Sequence, residues 1–276
     1  MPRRFSTVRG RELGDGLRKV LTRSGFSGRK LATLLGWDHV KLVDLLNGKL
    51  GVSEVELAAL LGACHTPPDE HAHLLALYRE ANVRGWWQQH GSRLPINLRT
   101  LIEHENAAIE IINWQLNLVP GLLQIPAYAR AVITVDPNIP ANEVERRVQA
   151  RLARQDALDS DTKFVFYVHE QALHLPVGGT EVMSEQLHHL LRMSVRSNLI
   201  LRIVPTALGA PPGSTGSFVL MKFNGIEPVV HGENQTSSFF IEEKEAVKAY
   251  SNIVNALDAV ALDQAESRRL ITDIVA

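Results

Sequence analysis

The chain has 276 residues, more than one small module needs and about right for two domains of roughly 100–200 residues each. With 45% hydrophobic and 21% charged residues it has the composition of a globular protein with a packed core, which excludes a disordered chain and a collagen-like fibre. The formal net charge of -1 conceals an asymmetry: residues 1–50 hold eleven Lys/Arg against four Asp/Glu, a net of +7, so the remainder sums to -8.

A basic block followed by an acidic body points to a phosphate-binding module joined to a regulatory or partner-binding domain, although a merely solvated basic face gives the same count. No run of about 18 apolar residues occurs, and no apolar segment follows the basic MPRRFSTVRGRELG. Neither a membrane partner nor a signal peptide is therefore expected, and the cytoplasm is the expected compartment. Cys64 is the only cysteine, which excludes an internal disulfide, a Cys-based zinc site and a CxxC redox pair.

In chain order, residues 12–24 place Leu13, Leu17, Val20 and Leu21 at helical spacing, with Gly25 as a stop. Ser27 can cap a second helix carrying Leu31, Leu34 and Leu35, which Gly36 ends. Asp38 can cap a third helix running to Leu46, with Gly48 as its terminator. Ser53 opens a fourth, with Glu56 at the capping-box offset, and another helix runs from Asp69. These helices make an all-α domain over residues 1–87, and QQHGSRLP, residues 88–95, reads as a linker.

Residues 96–276 form the second domain, read as α+β with a small mixed sheet. Residues 96–118 look like one long helix, and VPGLLQIPAYARAVI holds a Pro-Gly turn and a short helix around Tyr128. Residues 142–158 form a charged helix. KFVFYVHE, MSEQLHHLLRMSVRS and LILRIVP follow in strand, helix, strand order. SFVLMKF, PVVHGE and SSFFIEE suggest antiparallel strands before a last helical region over residues 243–276.

The stretch SGRKLATLLGWDHVKLVDLLNGK, residues 27–49, has the spacing Ala32-x3-Gly36-x5-Leu42-x2-Leu45, with Leu31 and Leu35 completing a buried face. Two helices crossing steeply need a small residue at the approach, a turn residue tolerant of positive φ, and apolar positions that lock the second helix. The stretch resembles the phage-repressor helix-turn-helix, the XRE or Cro/C1-type class. That resemblance makes residues 38–46 a recognition helix and double-stranded DNA the partner, and puts His39, Val40, Lys41, Val43, Asp44 and Asn47 on its exposed positions.

On those positions Lys41 can donate to guanine or phosphate, His39 can donate or accept, and Val40 or Val43 can touch a thymine methyl. Asp44 can accept from cytosine but repels phosphate. Arg29 and Lys30, early in the preceding helix, suit phosphate contacts. The class tends to have Ser or Thr where this chain has Val43, and Glu where it has Leu46.

Beyond the linker, RGWWQQHG, LIEHENAAIEIINWQLNLVPGLLQIPAYARAVI, RVQARLARQDAL, VHEQALHLPVGG, MSEQLHHLLRMS, GSFVLMKF and DQAES resemble one family of actinobacterial regulators. These join an XRE helix-turn-helix to a large domain of unassigned biochemistry and include WhiJ-like and antitoxin-like regulators. The resemblance implies a transcription regulator that works with a small partner protein. A homodimer is expected, since this class places two copies one DNA turn apart. An interaction protein that neutralises a small partner, with DNA binding secondary, is the alternative. VPGLLQIPAYARA itself is either a binding surface or a packed corner.

No catalytic residue, metal site or cofactor is assigned. The adjacent His188 and His189 point about 100° apart on a helix, and the cluster of His65, His71 and His73 near Cys64 reads as a surface loop and helix start. VHEQALH fails the zinc-protease pattern because His169 and His174 are five apart rather than four. PPGSTGS precedes a strand and lacks the Gly-Lys-Ser/Thr ending of a P-loop, and Ser214 and Ser217 sit in no nucleophile elbow. Glu103 and Glu105, two apart on one helix and on different faces, are unsuited to paired acid/base work; a carboxylate there is either solvated or salt-bridged to an Arg of ARLARQ. Trp86 and Trp87 read as interdomain packing rather than a base-stacking platform.

Overall fold

A computed structural model describes residues 8–49, 51–81, 87–89, 96–235 and 237–276. The chain divides into two compact units, residues 1–88 with 240–242, and residues 89–239 with 243–276.

The first unit contains helices α1 (Val8–Ser24), α2 (Gly28–Leu34), α3 (His39–Leu46), α4 (Glu54–Ala63) and α5 (Pro68–Ala81). Side chains close the helix starts as the sequence predicts. Ser27 accepts from Lys30 N, Asp38 from Val40 N, and Ser53 and Glu56 form a complete capping box. Each such cap satisfies an amide that the helix itself leaves orphaned and contributes about 1 kcal/mol.

The ends of α2 and α3 are Schellman motifs. Trp37 N reaches Ala32 O and Gly36 N reaches Thr33 O, with Gly36 at φ 67°. Lys49 N reaches Asp44 O and Gly48 N reaches Leu45 O, with Gly48 at φ 75°. His65 ends α4 in the same way at φ 51°.

Leu13, Leu17, Val20, Leu31, Ala32, Leu42, Leu45, Leu57, Leu60, Leu61, Leu74 and Leu77 form the core of this unit. Full burial of a leucine contributes about 1.5–3 kcal/mol, so a short helix such as α3 is held by Leu42 and Leu45 rather than by its own propensity. Leu34, expected among the apolar positions of α2, is 60% exposed, because it points away from the face that carries Leu31 and Ala32.

The second unit is α+β. Its strands are β2 (Glu110–Gln115), β3 (Lys163–His169), β4 (Leu199–Val204), β5 (Phe218–Lys222), β6 (Val229–Glu233) and residues 237–239 of β7 (Ser237–Ile241). They make a mixed sheet in the order β7-β6-β5-β2-β3-β4; a short strand, β1 (Trp87–Gln89), precedes them in the chain. Its helices are α6 (Ile96–Ala107), α7 (Pro126–Thr134), α8 (Ala141–Ala153), α9 (Gln171–His174), α10 (Thr180–Met193), α11 (Lys244–Val260) and α12 (Gln264–Val275).

The strand, helix, strand reading holds: β3 and β4 are parallel neighbours, Phe164 opposite Leu199, with α10 between them in sequence. The long helix expected over residues 96–118 does not form. α6 stops at Ala107, and β2 follows as a central strand, parallel to β3 (Asn113 opposite Phe166) and antiparallel to β5 (Asn113 opposite Val219). Ile111, Ile112, Asn113 and Trp114 are all buried, so the strand shows no alternation by which period-two patterning could reveal it. Residues 88 and 89 of the expected linker lie in β1. The linker residues 90–95, Arg3, Arg4, Trp86 and the side chain of Trp87 lie outside the described residues.

VPGLLQIPAYARA is a packed corner. The Tyr128 hydroxyl accepts from Val119 N at 3.1 Å, and Gln124 Nε2 donates to Val119 O at 2.8 Å. Gln186 of α10 accepts from Ile125 N at 2.8 Å and donates to Leu123 O at 2.7 Å. Arg151 of α8 donates to Gln124 Oε1 at 2.9 Å, and Gln155 donates to the Gln124 carbonyl at 2.7 Å. Pro126 occupies the first turn of α7, where its missing N–H costs nothing. Arg154 forks onto Glu105 at 2.9 and 2.6 Å, the salt bridge expected between the 96–107 helix and ARLARQ.

Candidate nucleic-acid interface

α2 and α3 form a two-helix unit whose inner face is Leu31, Ala32, Leu42 and Leu45. Gly28 lies at van der Waals distance from the start of α3. A Cβ on it would stand 3.7 Å from His39 Nε2 and 3.8 Å from Leu42 Cδ2. The first turn of α2, with Arg29 and Lys30, is therefore beside the first turn of α3.

Arg29, Lys30, His39, Val40, Val43 and Asn47 are exposed, as the helix-turn-helix spacing requires. Arg29 and Lys30 meet no carboxylate among the described residues. They are cations available to a polyanion.

Lys41 and Asp44, also expected on exposed positions, are less exposed than these. Lys41 is half-buried; its Nζ lies 2.5 Å from Glu56 Oε1 of α4 and 5.0 Å from the centre of the Trp37 ring. Glu56 is itself fixed by its bond to Ser53 N at 2.7 Å. The hydrogen bond from Lys41, then that from the Ser53 backbone, hold the Glu56 carboxyl below its ordinary range, so it stays ionised near neutrality. Asp44 is half-buried with Lys49 at 3.4 Å, and Asn47, at the C-cap of α3, takes a hydrogen bond on Oδ1 from Arg18 Nη2 at 3.0 Å.

Arg18, Trp37 and Glu56 were not legible as parts of this surface. Glu56 carries a sequence signal, the capping box, but nothing in the spacing of residues 41 and 56 says that they meet. Arg18 is 29 residues from Asn47 and comes near it because α1 packs on α3.

In the second unit, His169 ends β3 inside the core while His174 lies exposed on α9, so VHEQALH gathers no ligand set. Ser217 Oγ accepts from Leu116 N at 3.1 Å, which ties the glycine-rich segment to the end of β2.

A short helix locked by two leucines, presenting its outer residues beside free cations, defines the helix-turn-helix class, the fold that DNA-binding regulators use. Residues 12–74 match a family described as helix-turn-helix domain. Residues 98–273, more than half of the chain, match the family described as domain of unknown function (DUF5753), and the chain belongs to that family. No curated protein matches the chain. No described helix is long and apolar enough to cross a membrane.

Proposed function

We propose that the protein is a sequence-specific DNA-binding transcription regulator of the XRE type, one of the actinobacterial WhiJ-like regulators, working in the cytoplasm. The observation that carries this reading is the outer face of α3 beside Arg29 and Lys30: His39, Val40 and Val43 are exposed on a helix whose opposite side is locked into the core. A homodimer places two such helices about 34 Å apart, one DNA turn. The second unit supplies the dimer contact and the sensing of an effector or small partner protein. It carries no catalytic function.

Fluorescence anisotropy of the full chain with DNA from its own upstream region, against a scrambled duplex over a salt series, tests the reading. Selective binding that weakens linearly in log salt is expected. A protein that fails to discriminate the two duplexes at every salt concentration is not such a regulator. Its purification at fixed stoichiometry with a small protein would then favour the antitoxin-like alternative.

A further inference from the structure

Apart from His39, the polar side chains of α3 and its C-cap that could read guanine, cytosine or adenine are already engaged within the chain. Lys41 is held by Glu56 and lies over Trp37. Asp44 faces Lys49. Asn47 has its oxygen occupied by Arg18, whereas bidentate recognition of adenine needs both ends of the amide. What remains outward is His39 and two valines, Val40 at 61% and Val43 at 37% exposure. Three residues apart on a helix, the valines share one face and are separated by about 4.5 Å along the axis, close to one base-pair step of about 3.4 Å.

We infer that α3 reads thymine methyl groups, so that the preferred half-site presents A·T pairs at adjacent steps beneath Val40 and Val43; this rests on the DNA-binding reading above. The thymine methyl is the one apolar feature of the major-groove edges, and an exposed valine is its natural complement. Lys41 adds little to the attraction for phosphate because Glu56 offsets its charge. To reach guanine it must leave that carboxylate behind, facing the DNA backbone. An apolar protein partner fits this face less well, since Arg29 and Lys30 stand beside it and match a polyanion.

The test begins with a duplex selected by the full chain from a random pool. Each thymine is then replaced in turn by uracil, which keeps the Watson–Crick face and removes only the methyl. Loss of one buried methyl contact is expected to weaken binding about fourfold at one or two positions per half-site. Val40→Ala and Val43→Ala proteins, checked for native circular dichroism, should bind thymine and uracil duplexes alike at those positions.

The double variant Lys41→Gln/Glu56→Gln should leave the slope of log affinity against log salt unchanged, while Arg29→Gln lowers its magnitude by about 0.9. Selective binding that survives every uracil replacement within about twofold overturns the inference and leaves the regulator reading standing. So does a double variant whose slope falls as much as that of Arg29→Gln. If no duplex is enriched from the pool, both readings fail together, and the valine face belongs to a protein partner.

Discussion

The helix-turn-helix and the corner built by VPGLLQIPAYARA are held together by different physics. In α2, α3 and α4 the buried side chains are leucine and alanine, which form no hydrogen bonds. In the corner, buried Gln124, Gln186 and Tyr128, with half-buried Arg151 and Gln155, bind backbone groups or one another. An apolar core responds to truncation in proportion to the volume lost, whereas a buried hydrogen-bonded network strands the surviving partner when one member is removed.

The sharpest break of this contrast is at Arg154. Replacing it with Met leaves Glu105, whose side chain is 2% exposed, without its counter-ion, at an expected cost of about 3–5 kcal/mol in urea unfolding. Adding Glu105→Leu should recover most of that loss. If the double variant is as unstable as the single one, the pair is not what stabilises this region.

Leu45→Ala in the apolar frame should cost about 2–5 kcal/mol. Hydrogen-exchange mass spectrometry should show it as deprotection of α2 and α3 with little change in β2–β4. Uniform deprotection of the whole chain would erase the contrast between the two regions.

Gln186→Leu strands Ile125 N and Leu123 O and should cost about 2 kcal/mol in thermal or urea unfolding, out of proportion to the small change in volume. Ser53→Ala should cost about 1 kcal/mol by loss of the cap, measurable in the same way.

The smallest effect is pH-dependent. Burial works to raise the Glu110 carboxyl, but hydrogen bonds from Lys163 and Lys222 prevail and hold it below its ordinary 4.5. A depressed folded value means the unfolded chain binds the proton first. The contribution is therefore complete above about pH 4.5 and lost as pH falls through the folded value. The difference in urea midpoint between wild type and Glu110→Gln should shrink across that window.

The frame of the first unit was legible because it rests on local rules. Ser27, Asp38, Ser53, Gly36 and Gly48 announce helix ends, and the spacing of Leu42 and Leu45 announces a locked helix. β2 was not legible, since Ile111 to Trp114 are buried without alternation and follow a helix whose pattern they extend. The exposed face of α3 was readable from spacing, yet the engagement of Lys41 by Glu56 was not. It depends on α3 and α4 meeting in space, which no periodicity within either helix encodes.

Two glycines show how that face is held. A Cβ on Gly14 of α1 would collide with the Leu46 carbonyl, and one on Gly48 would stand 2.6 Å from Arg11 N. Main chain therefore meets main chain where α1 and α3 join, and the pose of α3 owes nothing to the side chains that it turns outward. Positions 39, 40 and 43 can be rewritten while the scaffold beneath them stays as it is. A change at those positions should therefore alter the outer face of α3 and leave its seat against α1 as it is.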